Sequence, residues 1–432
     1  MDQHPVLGAS RWAGWSTSQH PPQPRLILER GRGCEVWDVD GNRYLDGIAS
    51  SGGSHIFGHA HPDLVDAVTN QAEQLAHFDE TIAGQQPAEA LMDDLCTITG
   101  MDEFVLVNDG SGAVEAAIRV VVEYWIRREQ PQRDTIIAFE RGYHGCTALA
   151  QSLSGLPHLR RGRAGGNPRV RHVRLAPHHH PGRAGAATAL ATDFADAIEA
   201  ADPARVAAVI VEPFLYTGGG IVLPPEFLSE LRTVTTRADC LLIVDEAFTG
   251  FGRAGTAFAI DSMHEPPDIL VIGNGMTGGV VPMSAVCVEK RIRDAFGDAR
   301  LPYGHTTGGH GVGCAAALAT IGMLHGFGIT AAQTAARWFA DTFCPRFAHL
   351  PGVVEARSYG VTGVVECDTA DRAETITATA REHGLIVGRE GSSLMLTPAL
   401  NTTETDLDKM ATLLHTAITG ADVGPGTGTT RS

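Results

Sequence analysis

Four short motifs place chemistry-bearing side chains at the ends of apolar runs. Asn108-Asp109-Gly110-Ser111-Gly112 follows FVLV and opens a helical pattern. Backbone amides of a glycine-rich turn at a helix N-terminus form a ready anion site, typically for phosphate. Tyr143-His144-Gly145 follows DTIIAFE and sets an aromatic ring beside an imidazole, a natural proton shuttle near neutral pH. LLIVDEAFTGFGRAG ends a third run in Asp245-Glu246, a carboxylate whose burial must be offset by a cationic partner. PDILVIGNGMTGG ends a fourth run in the glycine-flanked Asn274, and HTTGGH adds His305 and His310. The acid/base candidates are therefore Asp109, Tyr143, His144, Asp245, His305 and His310.

Amine chemistry is tightly restricted. Of 33 Lys+Arg residues, the only lysines are Lys290 and Lys409, so side-chain Schiff bases have very few places to form. Lys290 follows MSAVCVEK at what reads as the outer end of a strand, and Lys409 falls in the last helical pattern. His178-His179-His180 reads as part of an exposed basic loop, and no metal site is expected. The eight cysteines form no CxxC pair, which suits free thiols in a reducing cytosol better than disulfides or zinc.

The elements that must hold these groups alternate. LILERGRGCEVWDVDGNRYLDGIAS reads as a β-meander turning at Asp40-Gly41-Asn42, and a helix is expected over His61–Phe78. FVLVND, DTIIAFE, RVAAVIVEP, CLLIVDEA and PDILVIGNG are strand-length apolar runs, each followed by turn residues and a helical pattern. Such alternation implies an α/β fold with a mostly parallel sheet covered on both faces, and functional residues at the strands' carboxyl ends. Ser154 to Arg183 reads as a basic loop. From about residue 326 the pattern becomes α+β. The expected division is 1–50, N-terminal arm and β-meander; 51–325, a large α/β domain; 326–420, a small C-terminal α+β domain; and 421–432, a frayed tail. Trp12 and Trp15 are candidate anchors of the arm.

Composition removes several classes. A formal charge of -17 disfavours a nucleic-acid groove or an anionic membrane surface. No uninterrupted apolar stretch approaches the ~20 residues of a membrane span, and the N-terminus lacks the features of a secretory signal. A soluble cytoplasmic protein with a small-molecule substrate is expected.

GHAHPDLVDAV, YHG, VEP, DEAFTGFGRAG, PDILVIGNGMTGG and HTTGGHGVGCAAALA, in this order and spacing, resemble the class III aminotransferases (the omega, acetylornithine and glutamate-1-semialdehyde type), fold-type I enzymes dependent on pyridoxal 5′-phosphate. The resemblance covers roughly residues 25–420. It implies pyridoxal or pyridoxamine 5′-phosphate as cofactor and a homodimer with sites at the subunit interface. It also implies that Asp245 pairs with the pyridine nitrogen and that Tyr143 and Ala247 flank the ring. The Gly110 and Ser111 amides would hold the phosphate, joined by Thr306 of the other subunit. Glu212 and Arg253 match framework positions.

The pattern breaks at the centre. Where this family carries its Schiff-base lysine the chain has Asn274, and an amide neither forms that bond nor shuttles a proton as an amine does. Asp109 stands where Ser or Thr is usual, Gly112 where Glu is frequent, Gly311 where Pro is usual, and Met395 where many relatives have a carboxylate-clamping arginine. Asp109 is expected either to repel a phosphate or to N-cap the helix. A deliberate Lys-to-Asn trap would leave the other residues intact, so coincident departures favour natural divergence over an engineered variant. The leading expectation is a repurposed biosynthetic enzyme working without a lysine aldimine. The alternatives are a lysine-free, non-covalent binder of the cofactor with residual transaminase-type chemistry, and a non-catalytic dimerising paralogue.

Overall fold

The computed structural model describes residues 26–157, 159 and 169–421. The expected anchors Trp12 and Trp15 and the tail beyond 421 lie outside the described residues.

A seven-stranded sheet organises the molecule. Its strands are β1 (Glu103–Val107), β2 (Thr135–Phe139), β3 (Arg169–Val173), β4 (Val206–Val211), β5 (Leu241–Glu246), β6 (Ile269–Ile272) and β7 (Ser284–Val288). In space they run β1-β7-β6-β5-β4-β2-β3. The links β3-β2-β4-β5-β6 are parallel, while β7 is antiparallel to both of its neighbours. This is the fold-type I arrangement of a pyridoxal-phosphate-dependent transferase, as expected.

The near-continuous apolar runs are explained by burial on both faces. Leu241, Ile243, Ile269 and Val271 enter one core with Val114, Ile118 and Val121 of helix α1 (Gly110–Arg127). Their chain neighbours Leu242, Val244, Leu270 and Ile272 enter a second core with Phe194, Phe227 and Phe258. The two-residue period of a strand thus divides each run between two layers.

The meander is present as strands Leu28–Arg32, Glu35–Asp38 and Arg43–Asp46, and Leu385–Ile386 joins it in parallel. The helix expected over His61–Phe78 is shorter, Pro62–Gln74. The segment Ser154–Arg183 is not all loop. It supplies β3, an edge strand whose polar alternation RVRHV reflects one solvated face, and a short 3-10 turn at Pro177–His179. There His179 is buried in an ion pair with Asp193, and His180 pairs with Glu355. No metal-type cluster occurs among the described residues.

Beyond the central sheet, Val353–Ser358, Gly363–Cys367, Ser393–Leu396 and Gly388–Glu390 form a four-stranded antiparallel sheet, with helices Ala370–Glu382 and Glu404–Ala421. One continuous helical stretch, Gly311–Phe347, is by length and composition apolar enough to cross a membrane, but 56% of its most apolar window is buried within the protein. It packs on the helices Pro62–Gln74 and Gln86–Thr99. Its register is reset by π-turns at Leu324–Gly328 and Phe339–Phe343.

Candidate active site

The carboxyl ends of β2, β4, β5 and β6 and the N-terminus of α1 surround a cleft of about 680 Å³. Asp109, Gly110, Ser111, Tyr143, His144, Asp245, Ala247 and Asn274 all line it. So do Tyr216, Phe248, Arg389 and Glu390, which the sequence did not single out as cleft groups.

At the inner end the groups are locked. Asp245 is 5% exposed; its Oδ2 lies 2.9 Å from His144 Nδ1, and its Oδ1 accepts from the Ala247 amide. Strand parity explains why Asp245, rather than Glu246, is the cleft carboxylate. Asp245 continues the α1-facing series Leu241, Ile243. Glu246 points to the opposite layer, where it accepts from the Ala259 and Ile260 amides and from the Thr249 hydroxyl. Glu212, at the end of β4, accepts from the Tyr143 amide at 2.7 Å. Burial, with the Asp245 charge adding to it, pushes the Glu212 carboxyl well above the usual carboxylate range. Tyr143 is likewise raised, chiefly by burial.

At the outer end the groups are more open. Asp109 caps α1 in extended conformation, its Oδ1 accepting from the Gly112 amide at 2.9 Å. The capping alternative for this carboxylate is therefore realised. Gly145, at φ +127, lets the next loop hug the same helix end: a Cβ there would lie 2.7 Å from Ser111 Oγ. Ser111 Oγ accepts from the Cys146 amide. Asn274 opens a short 3-10 turn after β6, with φ +33, and is exposed. Its Nδ2 donates weakly to the Gly52 carbonyl at 3.3 Å.

Several expectations change. The His144 side chain is fully buried and bound to Asp245, so it positions that carboxylate rather than meeting a ligand as a free acid or base. His305 and His310 do not line the cleft of their own chain. His305 Nδ1 accepts from the Asn108 amide, and its ring lies so near Gly112 that a Cβ there would come within 2.6 Å. His310 stacks on His77, whose Nε2 lies 3.1 Å from the Thr306 carbonyl, so Thr306 also stands apart from the cleft of its own chain. Met395 does not face the cleft. It is buried with Phe214 and Val364 beneath Tyr216 and Phe248, whose stacked rings form the wall. The cation on that wall is Arg389, which sequence spacing gave no reason to select. Beside it, burial raises the Glu390 carboxyl to about 7. Lys290 and Lys409 lie outside the cleft in ion pairs with Asp294 and Asp406.

Arg253 is a buried framework residue with no carboxylate partner among the described residues. It donates to the carbonyls of Val361, Pro398 and Gly53 at 2.6 to 2.9 Å. Burial lowers its pKa to about 10.

The model of the aminotransferase class-III family matches residues 16–418. The chain belongs to the class III aminotransferases. It is 30% identical to an adenosylmethionine-8-amino-7-oxononanoate aminotransferase of Synechococcus elongatus, over 94% of this chain and 97% of that protein. An uncharacterized aminotransferase of Sinorhizobium fredii is 29% identical over 91% of this chain and 90% of its own length. Among solved structures, the omega transaminase of Pseudomonas jessenii in complex with PMP superposes with a TM-score of 0.87 at 26% identity, covering 95% of this chain and 98% of that one. For a class III aminotransferase the implied cofactor is pyridoxal or pyridoxamine 5′-phosphate. The donor set fits its two ends: a buried carboxylate, Asp245, for a protonated ring nitrogen, and the α1 amides of Gly110 and Ser111 for the phosphate.

Proposed function

We propose that this class III aminotransferase-like protein is a repurposed enzyme that holds pyridoxal or pyridoxamine phosphate without a covalent lysine bond and acts on a small molecule. The observation that carries this reading is Asn274. It follows the end of β6, at the position the resemblance assigns to a Schiff-base lysine, and among the described residues neither lysine lines the cleft.

When bound, the cofactor supplies an electron sink for charge developing on the substrate. Asp245 would hold the ring-nitrogen proton, with His144 Nδ1 fixing its Oδ2. Tyr143 and Ala247 would flank the ring, and Glu212 fixes the Tyr143 backbone. Asn274 anchors to Gly52 and offers a neutral amide where an amine would exchange protons. Glu390, on the cleft wall and raised to about 7, is the carboxyl suited to give and take a proton near neutrality. Arg389 offers a cation to an anionic substrate group. Thr306, away from its own cleft, serves the cleft of a second copy in a homodimer. The free thiols support a reducing, cytoplasmic setting.

The test pairs affinity with covalency. Pyridoxamine phosphate should raise the melting temperature of the wild type. Borohydride treatment with pyridoxal phosphate should leave its cleft unlabelled, whereas Asn274→Lys should gain a cofactor-sized mass increment at position 274. Labelling of Lys290 or Lys409 during turnover would overturn the reading.

A further inference from the structure

The outer end of the cleft carries a charge that works against the group it would receive. Asp109 Oδ1 accepts from the Gly112 amide at 2.9 Å, so this carboxylate already occupies part of the positive end of α1. Its residue also lines the cleft beside the Gly110 and Ser111 amides. The rest of the lining offers little to offset it: Asp245 is bound to His144 at the inner end, the Glu212 and Glu390 carboxyls are raised by burial, and Arg389 is the one lysine or arginine among the described lining residues. A phosphate dianion entering this end therefore meets a like charge where the fold otherwise offers only dipoles.

Resting on the cofactor reading above, we infer that Asp109 is a specificity-determining residue that removes the usual advantage of the phosphate, so the cleft holds phosphorylated and non-phosphorylated forms of the cofactor with similar affinity. The ring end is indifferent to this distinction, because Asp245, Tyr143 and Ala247 do not belong to the phosphate end. The ligand class admitted by Asp109 thus extends to neutral or cationic hydroxymethyl- and aminomethyl-pyridines.

Asp109→Asn separates charge from fold, because asparagine caps a helix as well as aspartate does. Titration calorimetry with pyridoxamine phosphate and with pyridoxamine measures the affinity ratio for wild type and variant. Thermal melting confirms that both are folded, and Asp109→Ser repeats the comparison with a shorter neutral cap. The expected result is at least a fivefold rise in preference for the phosphorylated form in both variants, with pyridoxamine affinity changed less than twofold. A ratio that moves less than fivefold, or moves because pyridoxamine binding changes, overturns the inference while leaving the cofactor reading in place. Failure of wild type and variants to bind either compound at millimolar concentration overturns both.

Discussion

The inner and outer ends of the cleft are built on different principles. At the inner end, Asp245, His144, Glu212 and the Tyr143 backbone are joined by hydrogen bonds of 2.7 to 2.9 Å below the surface. At the outer end, Asp109 and Asn274 are exposed; the Asp109 side chain accepts from the nearby Gly112 amide, and Asn274 donates only weakly, at 3.3 Å, to the distant Gly52 carbonyl. Asp109 and Asn274, two of the positions where the sequence reads as departing from the class III pattern, both fall at the outer end. A buried, paired carboxylate cannot change without stranding its partner, whereas an exposed cap or turn residue changes cheaply. Ligand chemistry can therefore diverge at one end while the fold holds the other constant.

The largest test of that contrast is Asp245→Ala. Removing one member of a buried pair leaves His144 Nδ1 unsatisfied, and the expected loss is about 3 kcal/mol, read by denaturant unfolding, together with loss of detectable pyridoxamine phosphate binding. A loss under about 1 kcal/mol would dissolve the distinction between the two ends. At the outer end, Asp109→Ala should cost about 1 kcal/mol through the lost N-cap, while Asp109→Asn should unfold close to wild type.

Glu390 offers a pH test between these extremes. Its folded pKa is raised from 4.5 to about 7. Its stabilising contribution is therefore complete below the unfolded value and is lost as pH rises through about 7. Glu390→Gln should flatten that part of the stability profile, and an unchanged slope would remove Glu390 as the responsible group. The smallest effect is expected for Asn274→Gly. Position 274 already has positive φ, so stability should change by no more than about 0.5 kcal/mol.

Much of the fold was legible because both-face burial writes long apolar runs into β2, β4, β5 and β6. The edge strand β3 was missed because Arg169, Arg171 and His172 give it the composition of a loop. Its place in the sheet depends on a neighbour, β2, rather than on its own apolarity. Asp245, Gly110, Ser111, Tyr143 and Asn274 were legible as run-end residues, and parity along β5 could have separated Asp245 from Glu246 in advance. Arg389 and Glu390 were not, because they reach the cleft from a short strand more than a hundred residues beyond β6. Met395 misled for the same reason. Its position in the chain says nothing of which side of Ser393–Leu396 faces the cavity, and the cation that lines the cleft, Arg389, lies on the adjacent strand.

Arg253 has a mechanical consequence. One guanidinium grips the carbonyls of Gly53, Val361 and Pro398, which come from an early loop, the turn before the Gly363–Cys367 strand, and the segment after Ser393–Leu396. No carboxylate among the described residues neutralises it, so these contacts also provide its substitute for hydration. Any hinge motion that lifts the C-terminal sheet must release the Val361 and Pro398 contacts together and leave Gly53 as the remaining carbonyl partner of a desolvated cation. Arg253 thus ties the loop at Gly53 and the chain at Val361 and Pro398, on either side in sequence of the strand that carries Arg389 and Glu390, to the turn after β5.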